Sequence, residues 1–230
     1  MARLARIVIP SVPHHVTQRG NRRQQVFFDD GDDRAYLALL AEHLGKAGVA
    51  VWGWCLMPNH VHLMLAPSSP DALRKSLAEA HRRYSRMVNV REGWRGYLWQ
   101  GRFASYPMDA AHALAAARYI ELNPVRARLA ACAGEWPWSS ARAHLTGQGD
   151  GLTEIGALGI LPAQWADFLD WGVDDAALAA IRGSERTGRP LGDAAFVRQL
   201  EAVTGRSLAR RKPGPKVRIR DEADGNGSLV

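Results

Sequence analysis

The chain of 230 residues contains only two cysteines, Cys55 and Cys132, and their spacing is not that of a paired motif. This scarcity excludes a disulfide scaffold, and Cys55, which lies in an apolar run, is expected to be a packed core thiol. No apolar run approaches the length of a membrane span. The N-terminus lacks the apolar core of a signal peptide, because Pro10 and Pro13 interrupt it. These absences predict a cytoplasmic protein.

Acidic residues are in the minority, with 23 Asp and Glu against 30 Lys and Arg and a net charge of +7. This balance favours polyanionic partners, with nucleic acid first and an acidic membrane second. The alternative is a basic surface without a partner. Cations concentrate in residues 74–102 and in residues 206–220, and the second segment has seven cations and no acid.

The most informative stretch is residues 57–65, Met-Pro-Asn-His-Val-His-Leu-Met-Leu. It follows an apolar run at residues 49–56 and a Pro58-Asn59 turn signal, which together predict an antiparallel hairpin. Side chains alternate along a strand, so His60 and His62 share one face, opposite the apolar face that packs in the core. Two imidazoles on one face can supply two ligands to one metal ion.

Helical periodicity predicts helices over residues 32–46, about 71–90 and 110–123, the last one capped by Asp109 and stopped by Pro124. In the second helix three arginines lie off the apolar stripe, where they can contact a phosphate backbone or form a solvated helix face. These arginines are Arg82, Arg83 and Arg86.

A first strand is predicted over residues 7–17, most strand-like from His14 onward. A basic loop follows at Gly20, and it is either a phosphate-binding loop or a solvated turn. Its polar residues are Arg19, Asn21, Arg22 and Arg23. A further strand is predicted over residues 97–106, where Arg102 lies among aromatic residues. This mixture suits unpaired nucleic acid, although Phe103 and Tyr106 are expected in the core.

The glycine-rich segment 146–151 predicts a domain boundary. The expected organisation is a main domain at 1–147, a small helical appendage of unknown role at 148–205 and a basic, disordered tail at 206–230. Helices are predicted near 162–171, 174–182 and 193–203, without a catalytic constellation. His112 and His144 are expected on helix surfaces.

Four residues form a coherent chemical set: His60, His62, Tyr119 and Asn123. Tyr119 and Asn123 are four apart and share a helix face. Two neutral imidazoles and an amide oxygen can hold a divalent ion whose open positions accept phosphate oxygens. A tyrosine hydroxyl can then attack in line and form a phosphotyrosine. Taken alone, Tyr119 could be a packing aromatic and Asn123 a helix C-cap.

The sequence resembles the REP-associated tyrosine transposases, a branch of the HUH single-tyrosine transposases. The order and spacing of five stretches within about residues 10–145 carry the resemblance. They are residues 15–22, 57–63, 99–103, 119–126 and 136–140.

The resemblance implies an α/β (α+β), ferredoxin-like core with a central antiparallel sheet and the nucleophile on a helix. It implies that Tyr119 is the nucleophile and that His60, His62 and Asn123 hold Mg²⁺ or Mn²⁺. Family members nick and rejoin single-stranded DNA at hairpin-forming, repetitive palindromic sequences, so the expected partner is hairpin DNA bound by a monomer or homodimer. Relaxases of the wider class carry a third motif histidine, which is missing here.

Two other functions are compatible with the residues. One is a domesticated module that binds DNA hairpins without cutting them. The other is a hydrolytic zinc enzyme, which would need a third His, Cys or carboxylate ligand and a metal-bound water.

Overall fold

The structure is a computed structural model that describes residues 5–209, so residues 210–230 of the predicted tail lie outside it. Its strands are β1 (His14–Arg19), β2 (Val49–Met57), β3 (His60–Pro67) and β4 (Ala104–Pro107). Its α-helices are α1 (Asp30–Lys46), α2 (Ala72–Glu92), α3 (Ala110–Glu121), α4 (Asn123–Arg126), α5 (Ala141–Thr146), α6 (Pro162–Asp170), α7 (Asp175–Thr187) and α8 (Ala194–Thr204). None of the helices within residues 5–209 is long and apolar enough to cross a membrane.

The four strands form one antiparallel sheet in the order β2-β3-β1-β4. The chain order β1-α1-β2-β3-α2-β4 is that of the split βαβ, or ferredoxin-like, arrangement. The predicted fold class is therefore confirmed. Helices α1 and α2 cover one face of the sheet and pack with Val16, Leu63 and Leu65 in a common core.

The histidine hairpin forms as predicted, because β2 ends at Met57 and β3 begins at His60, leaving Pro58-Asn59 as the turn. Val61, Leu63 and Leu65 of β3 are fully buried on the α1–α2 side. The strict alternation of side chains along the strand then directs His60 and His62 to the opposite face. Antiparallel register places Thr17 beside His62 and Arg19 beside His60.

Two predicted strands are shorter in the structure. The first begins only at His14, because Pro10 and Pro13 lack the N–H donors that a central strand needs. Ile7 and Ile9 instead pack in a small cluster with residues near the end of α8. The segment 97–106 contains regular strand only from Ala104 onward, and the preceding aromatic stretch is a loop fastened to Gly20 by a bridge at Trp99.

The predicted C-terminal helices appear as α6, α7 and α8, and α6 and α7 pack on the second face of the sheet. Trp165, Phe168 and Ile181 are buried in the same apolar cluster as Tyr106 of β4 and Ile120 of α3. The described part of the appendage thus shares a core with the sheet. The boundary at residue 147 stays a prediction about domain organisation.

A buried carboxylate connects helices α3, α5 and α6. Glu121, at the end of α3 and 1% exposed, accepts hydrogen bonds from Ser140 Oγ at 2.6 Å, His144 Nδ1 at 2.6 Å and Trp165 Nε1 at 2.8 Å. The prediction that His144 lies on a helix surface is wrong, since its side chain is buried and stacks on Trp165. A polar residue on a short helix gives no periodic signal that could have indicated this partner.

We expect Glu121→Ala to lower the free energy of unfolding by about 3–5 kcal/mol, because three buried donors lose their acceptor. Equilibrium urea denaturation measures the change. Glu154→Ala is the matched control, since Glu154 is exposed, and it should alter stability by no more than about 0.5 kcal/mol. Equal stabilities of the two variants would show that the Glu121 hydrogen bonds make no net contribution.

Candidate active site

Two neighbouring imidazoles occupy the start of β3 on the face opposite α1 and α2. The ring centroids of His60 and His62 are 4.9 Å apart, and His62 is 2% exposed. Burial lowers the pKa of His60 to about 4, with a further decrease from the Arg19 guanidinium. Burial also lowers the pKa of His62 well below its usual range, and the positive charges of its neighbours act in the same direction. Both rings are therefore neutral near pH 7, the state in which imidazole binds metals.

Tyr119 of α3 lies against this pair. Its ring centroid is 5.4 Å from that of His62, and the Arg126 guanidinium lies 5.0 Å from the centre of its ring. Burial and, to a lesser extent, Glu185 raise the pKa of Tyr119, whereas Arg126 and a hydrogen bond from Arg182 lower it. The structure thus brings together the tyrosine and the histidine pair predicted from the sequence, and it adds two cations beside the phenol.

Asn123 follows Tyr119 by one helical turn, at the first residue of α4. Its amide nitrogen and the Nε2 atom of His62 are buried and have no hydrogen-bond partner among residues 5–209. A buried polar atom without a partner costs about 1–3 kcal/mol, so a ligand that bound either group would recover that free energy. Rotation of the carboxamide by half a turn would present its oxygen instead. An imidazole lone pair and an amide oxygen fit a divalent cation.

Residues that the sequence analysis did not select complete the site. His15 of β1 hydrogen bonds with His62, and Tyr106 of β4 hydrogen bonds with His15. Glu185 of α7 places a carboxylate oxygen 3.8 Å from Nδ1 of both His15 and His62. Burial raises the pKa of Glu185 to about 7, against the opposing effect of Arg19 and Arg182.

Helix α7 of the predicted appendage therefore places Arg182 and Glu185 beside the candidate site, which the sequence analysis did not anticipate. The spacing of Arg182 and Glu185 on one face of α7 was a possible signal, but helical charge pairs are common. His15 could have been selected because it alternates with Thr17 and Arg19 on one strand.

His15, His62 and Glu185 are also close enough to form a three-ligand metal site, with their ligand atoms within 4.8 Å of one another. Both ring nitrogens of His15 are, however, already hydrogen bonded, to His62 at 2.9 Å and to Tyr106 at 2.6 Å. Nε2 of His62, which has no hydrogen-bond partner among residues 5–209, is a further candidate ligand atom.

The predicted basic loop lies beside this site. Residues Asn21–Arg23 form a single 3-10 turn, in which Arg22 and Arg23 are exposed and adopt left-handed φ values of 54° and 63°. Asn59 Nδ2 donates a hydrogen bond to the Arg23 carbonyl oxygen, which ties this loop to the histidine hairpin. A Cβ atom at Gly20 would clash with the Gln24 carbonyl oxygen, so the loop requires glycine there. Two arginines thus project into solvent next to His60.

Three of the other predicted DNA-contacting arginines lie on α2, on the α1–α2 side of the sheet. Arg82, Arg83 and Arg86 are exposed along α2; Arg82 pairs with Glu79 and Arg83 with Glu42. Arg102 and Arg82 border a cavity of about 470 Å³, which is also lined by Arg74 and by Tyr97, 85% exposed. Arg102 also lines a small cavity with Glu185, so this surface extends toward the histidine–tyrosine site. The role of this surface in DNA binding stays a prediction.

The ferredoxin-like sheet thus carries a histidine pair and faces a helical tyrosine on one side. Residues 9–123 match the family model described as "Transposase IS200 like". The chain belongs to this family.

The fold is similar to that of a solved REP-associated tyrosine transposase bound to a REP hairpin. That structure has a TM-score of 0.55 and 19% sequence identity, and the match covers 68% of this chain and 96% of that chain. A second structure, from Deinococcus radiodurans R1 and described as a proposed transposase, has a TM-score of 0.37 and 19% identity over 56% of this chain and 92% of that chain. The comparison with curated proteins found no match.

Proposed function

We propose that this protein is a metal-dependent endonuclease and strand transferase that acts on hairpin-bearing single-stranded DNA. In this proposal Tyr119 attacks the DNA and forms a covalent phosphotyrosine. The observation that carries the proposal is the packing of Tyr119 against His62, with ring centroids 5.4 Å apart, in a member of the IS200-like transposase family. His60, Arg126 and Arg182 surround the same point.

His60, His62 and Asn123 are the proposed ligands of Mg²⁺ or Mn²⁺. The support is chemical, since His62 Nε2 and the Asn123 amide nitrogen are buried and have no hydrogen-bond partner within residues 5–209. A bound divalent cation would polarise the scissile phosphate and neutralise the charge that develops on its oxygens.

Tyr119 supplies the nucleophile. Its hydroxyl oxygen forms a bond to phosphorus, the bond from phosphorus to the leaving sugar oxygen breaks, and a free sugar hydroxyl is released. Burial raises the pKa of the phenol, so the phenolate needs stabilisation. Arg126 and Arg182 provide it, because both guanidiniums lower that pKa. Attack of a sugar hydroxyl on the phosphotyrosine then rejoins the strand without a nucleotide cofactor.

The DNA is held by two sets of residues in this proposal. Arg19, Asn21, Arg22 and Arg23 bind phosphates next to the histidine pair, and Arg82, Arg83, Arg86 and Arg102 bind the DNA on the α2 side. Guanidinium groups form bidentate hydrogen bonds with phosphate oxygens, and aromatic side chains such as Tyr97 stack on unpaired bases. Hairpin DNA is the proposed partner because the solved structure with the similar fold contains a REP hairpin.

The second candidate function is binding of DNA hairpins without cleavage. It is favoured by the burial of Tyr119, which is only 6% exposed.

A denaturing gel tests the two functions. Single-stranded DNA carrying hairpins from repeats that flank the gene, labelled at either end in separate reactions, is incubated with protein and Mg²⁺ or Mn²⁺. We expect a protein–DNA band that resists denaturant and is lost when EDTA replaces the metal. Tight hairpin binding and bound metal without such a band, with either label, would support the non-cleaving module instead.

A further inference from the structure

A continuous line of hydrogen bonds extends from His62 through the sheet to α7. His62 Nδ1 and His15 Nε2 are 2.9 Å apart, and His15 Nδ1 is 2.6 Å from the Tyr106 hydroxyl. The Tyr106 hydroxyl donates in turn to the Ile181 carbonyl oxygen at 3.5 Å. The three side chains are at most 2% exposed, so water does not compete for these groups.

The Ile181 carbonyl oxygen, 3.5 Å from the Tyr106 hydroxyl, favours one direction for every donor in the line. A carbonyl oxygen only accepts, so when Tyr106 donates its proton to Ile181 the Tyr106 oxygen accepts from Nδ1–H of His15. A neutral His15 carries one proton, so its Nε2 atom is an acceptor and receives the Nδ1–H of His62. A neutral His62 then has its lone pair on Nε2, the buried atom without a hydrogen-bond partner in the described part of the chain.

We propose that His15 is a positioning residue for His62, and that with Tyr106 it fixes the tautomer and the rotation of the His62 ring. The inference rests on the proposed function, because it takes Nε2 of His62 as a metal ligand. The opposite tautomer would place a proton on Nε2 and prevent metal binding. The His15 and His62 rings also stack, with centroids 5.1 Å apart and planes inclined by 26°, which restricts rotation of the His62 ring.

Helix α7 has a specific role in this arrangement. Ile181 belongs to α7, so the carbonyl group that orders the line of donors comes from outside the sheet. Glu185, one turn later, lies 3.8 Å from Nδ1 of His15 and of His62 and bounds the pair on that side. Helix α7 thereby supports the histidine that points toward the proposed metal position.

Two substitutions of His15 distinguish the effect of its ring shape from the effect of its hydrogen bond to His62. His15→Phe keeps a ring of similar size but offers no acceptor to His62. His15→Gln offers a side-chain oxygen near the position of the imidazole Nε2, so it preserves the hydrogen bond. Removal of a group that hydrogen bonds to a metal-binding histidine typically lowers metal affinity by about 10- to 100-fold. We expect Mn²⁺ affinity to fall by about that factor in His15→Phe and by only a few-fold in His15→Gln.

Mn²⁺ affinity is measured by electron paramagnetic resonance of the free ion, with thermal denaturation as a check on folding. Nitrogen-15 spectra of the imidazoles provide a second readout on the metal-free protein, with His62 assigned through His62→Gln. We expect wild type to show the Nδ1–H tautomer of His62.

Wild-type affinity in folded His15→Phe would overturn the positioning role while leaving the proposed function intact. A wild-type His62 protonated on Nε2 would overturn it as well, even if His15→Phe fails to fold. Failure of wild type to bind Mn²⁺ would instead contradict the proposed metal-dependent function, and the positioning role with it.

Discussion

Replacement of Tyr119 by phenylalanine is expected to abolish the covalent protein–DNA product and to reduce strand cleavage by about 10⁴- to 10⁶-fold, as when an essential nucleophile is removed. The ring still fills its space between His62 and Arg126, so the fold is retained. Hairpin binding and Mn²⁺ binding should stay within about threefold of wild type, because only one hydroxyl group is lost. Denaturing gels with end-labelled hairpin DNA measure cleavage, and gel shifts measure binding.

Tyr97→Phe is the matched control, since it removes the hydroxyl of an exposed tyrosine but keeps the aromatic ring that is proposed to stack on unpaired bases. It should form the adduct as wild type does. Cleavage that persists in Tyr119→Phe without any adduct would indicate a metal-bound water as nucleophile, the chemistry of the hydrolytic alternative. An adduct that persists would assign the nucleophile to a different residue.

Replacement of His60 by alanine is expected to reduce adduct formation by at least about 10²- to 10³-fold, the effect of removing one electrostatic group from an active site. Hairpin affinity should change by less than about threefold, because the proposed phosphate contacts are elsewhere. Arg22 and Arg23 are on the neighbouring loop, and Arg82 is on α2. Quantitative adduct assays and hairpin titrations at one fixed salt concentration provide the two measurements.

The control for this variant is His112→Ala. His112 is on the first turn of α3, where its ring forms a hydrogen bond with Asp109, the N-cap of that helix. Its loss removes a histidine of similar exposure without touching the proposed site. If His60→Ala lost hairpin binding and adduct formation in equal measure, the separation of chemistry from DNA binding would be wrong.

Much of the candidate site could be predicted because its signals are local. Two-residue alternation in β3 determines that His60 and His62 face one way, whatever the neighbouring strands do. The four-residue spacing of Tyr119 and Asn123 similarly places them one helical turn apart. The exposure of Arg82, Arg83 and Arg86 follows from the apolar stripe of α2, and the structure agrees.

Other features depend on contacts between distant parts of the chain. Glu185 meets His62 only because α7 packs against β4 and α3. The burial of His144 depends on a carboxylate at Glu121, in a different helix. The loop at residues 97–103 has strand-like composition, but only residues from Ala104 onward pair with β1. Strand register decides which residues pair with β1, and amino-acid composition does not specify the register.

By itself the sequence determined the histidine hairpin and the tyrosine helix, because each follows from a short periodic pattern. The ferredoxin-like core was implied by the resemblance to a known family. Tertiary structure alone decided that His15, Tyr106 and α7 would surround His62. Strand register and helix packing set those contacts, and both are fixed by the burial of apolar side chains throughout the domain, so they cannot be read from the residues around the site.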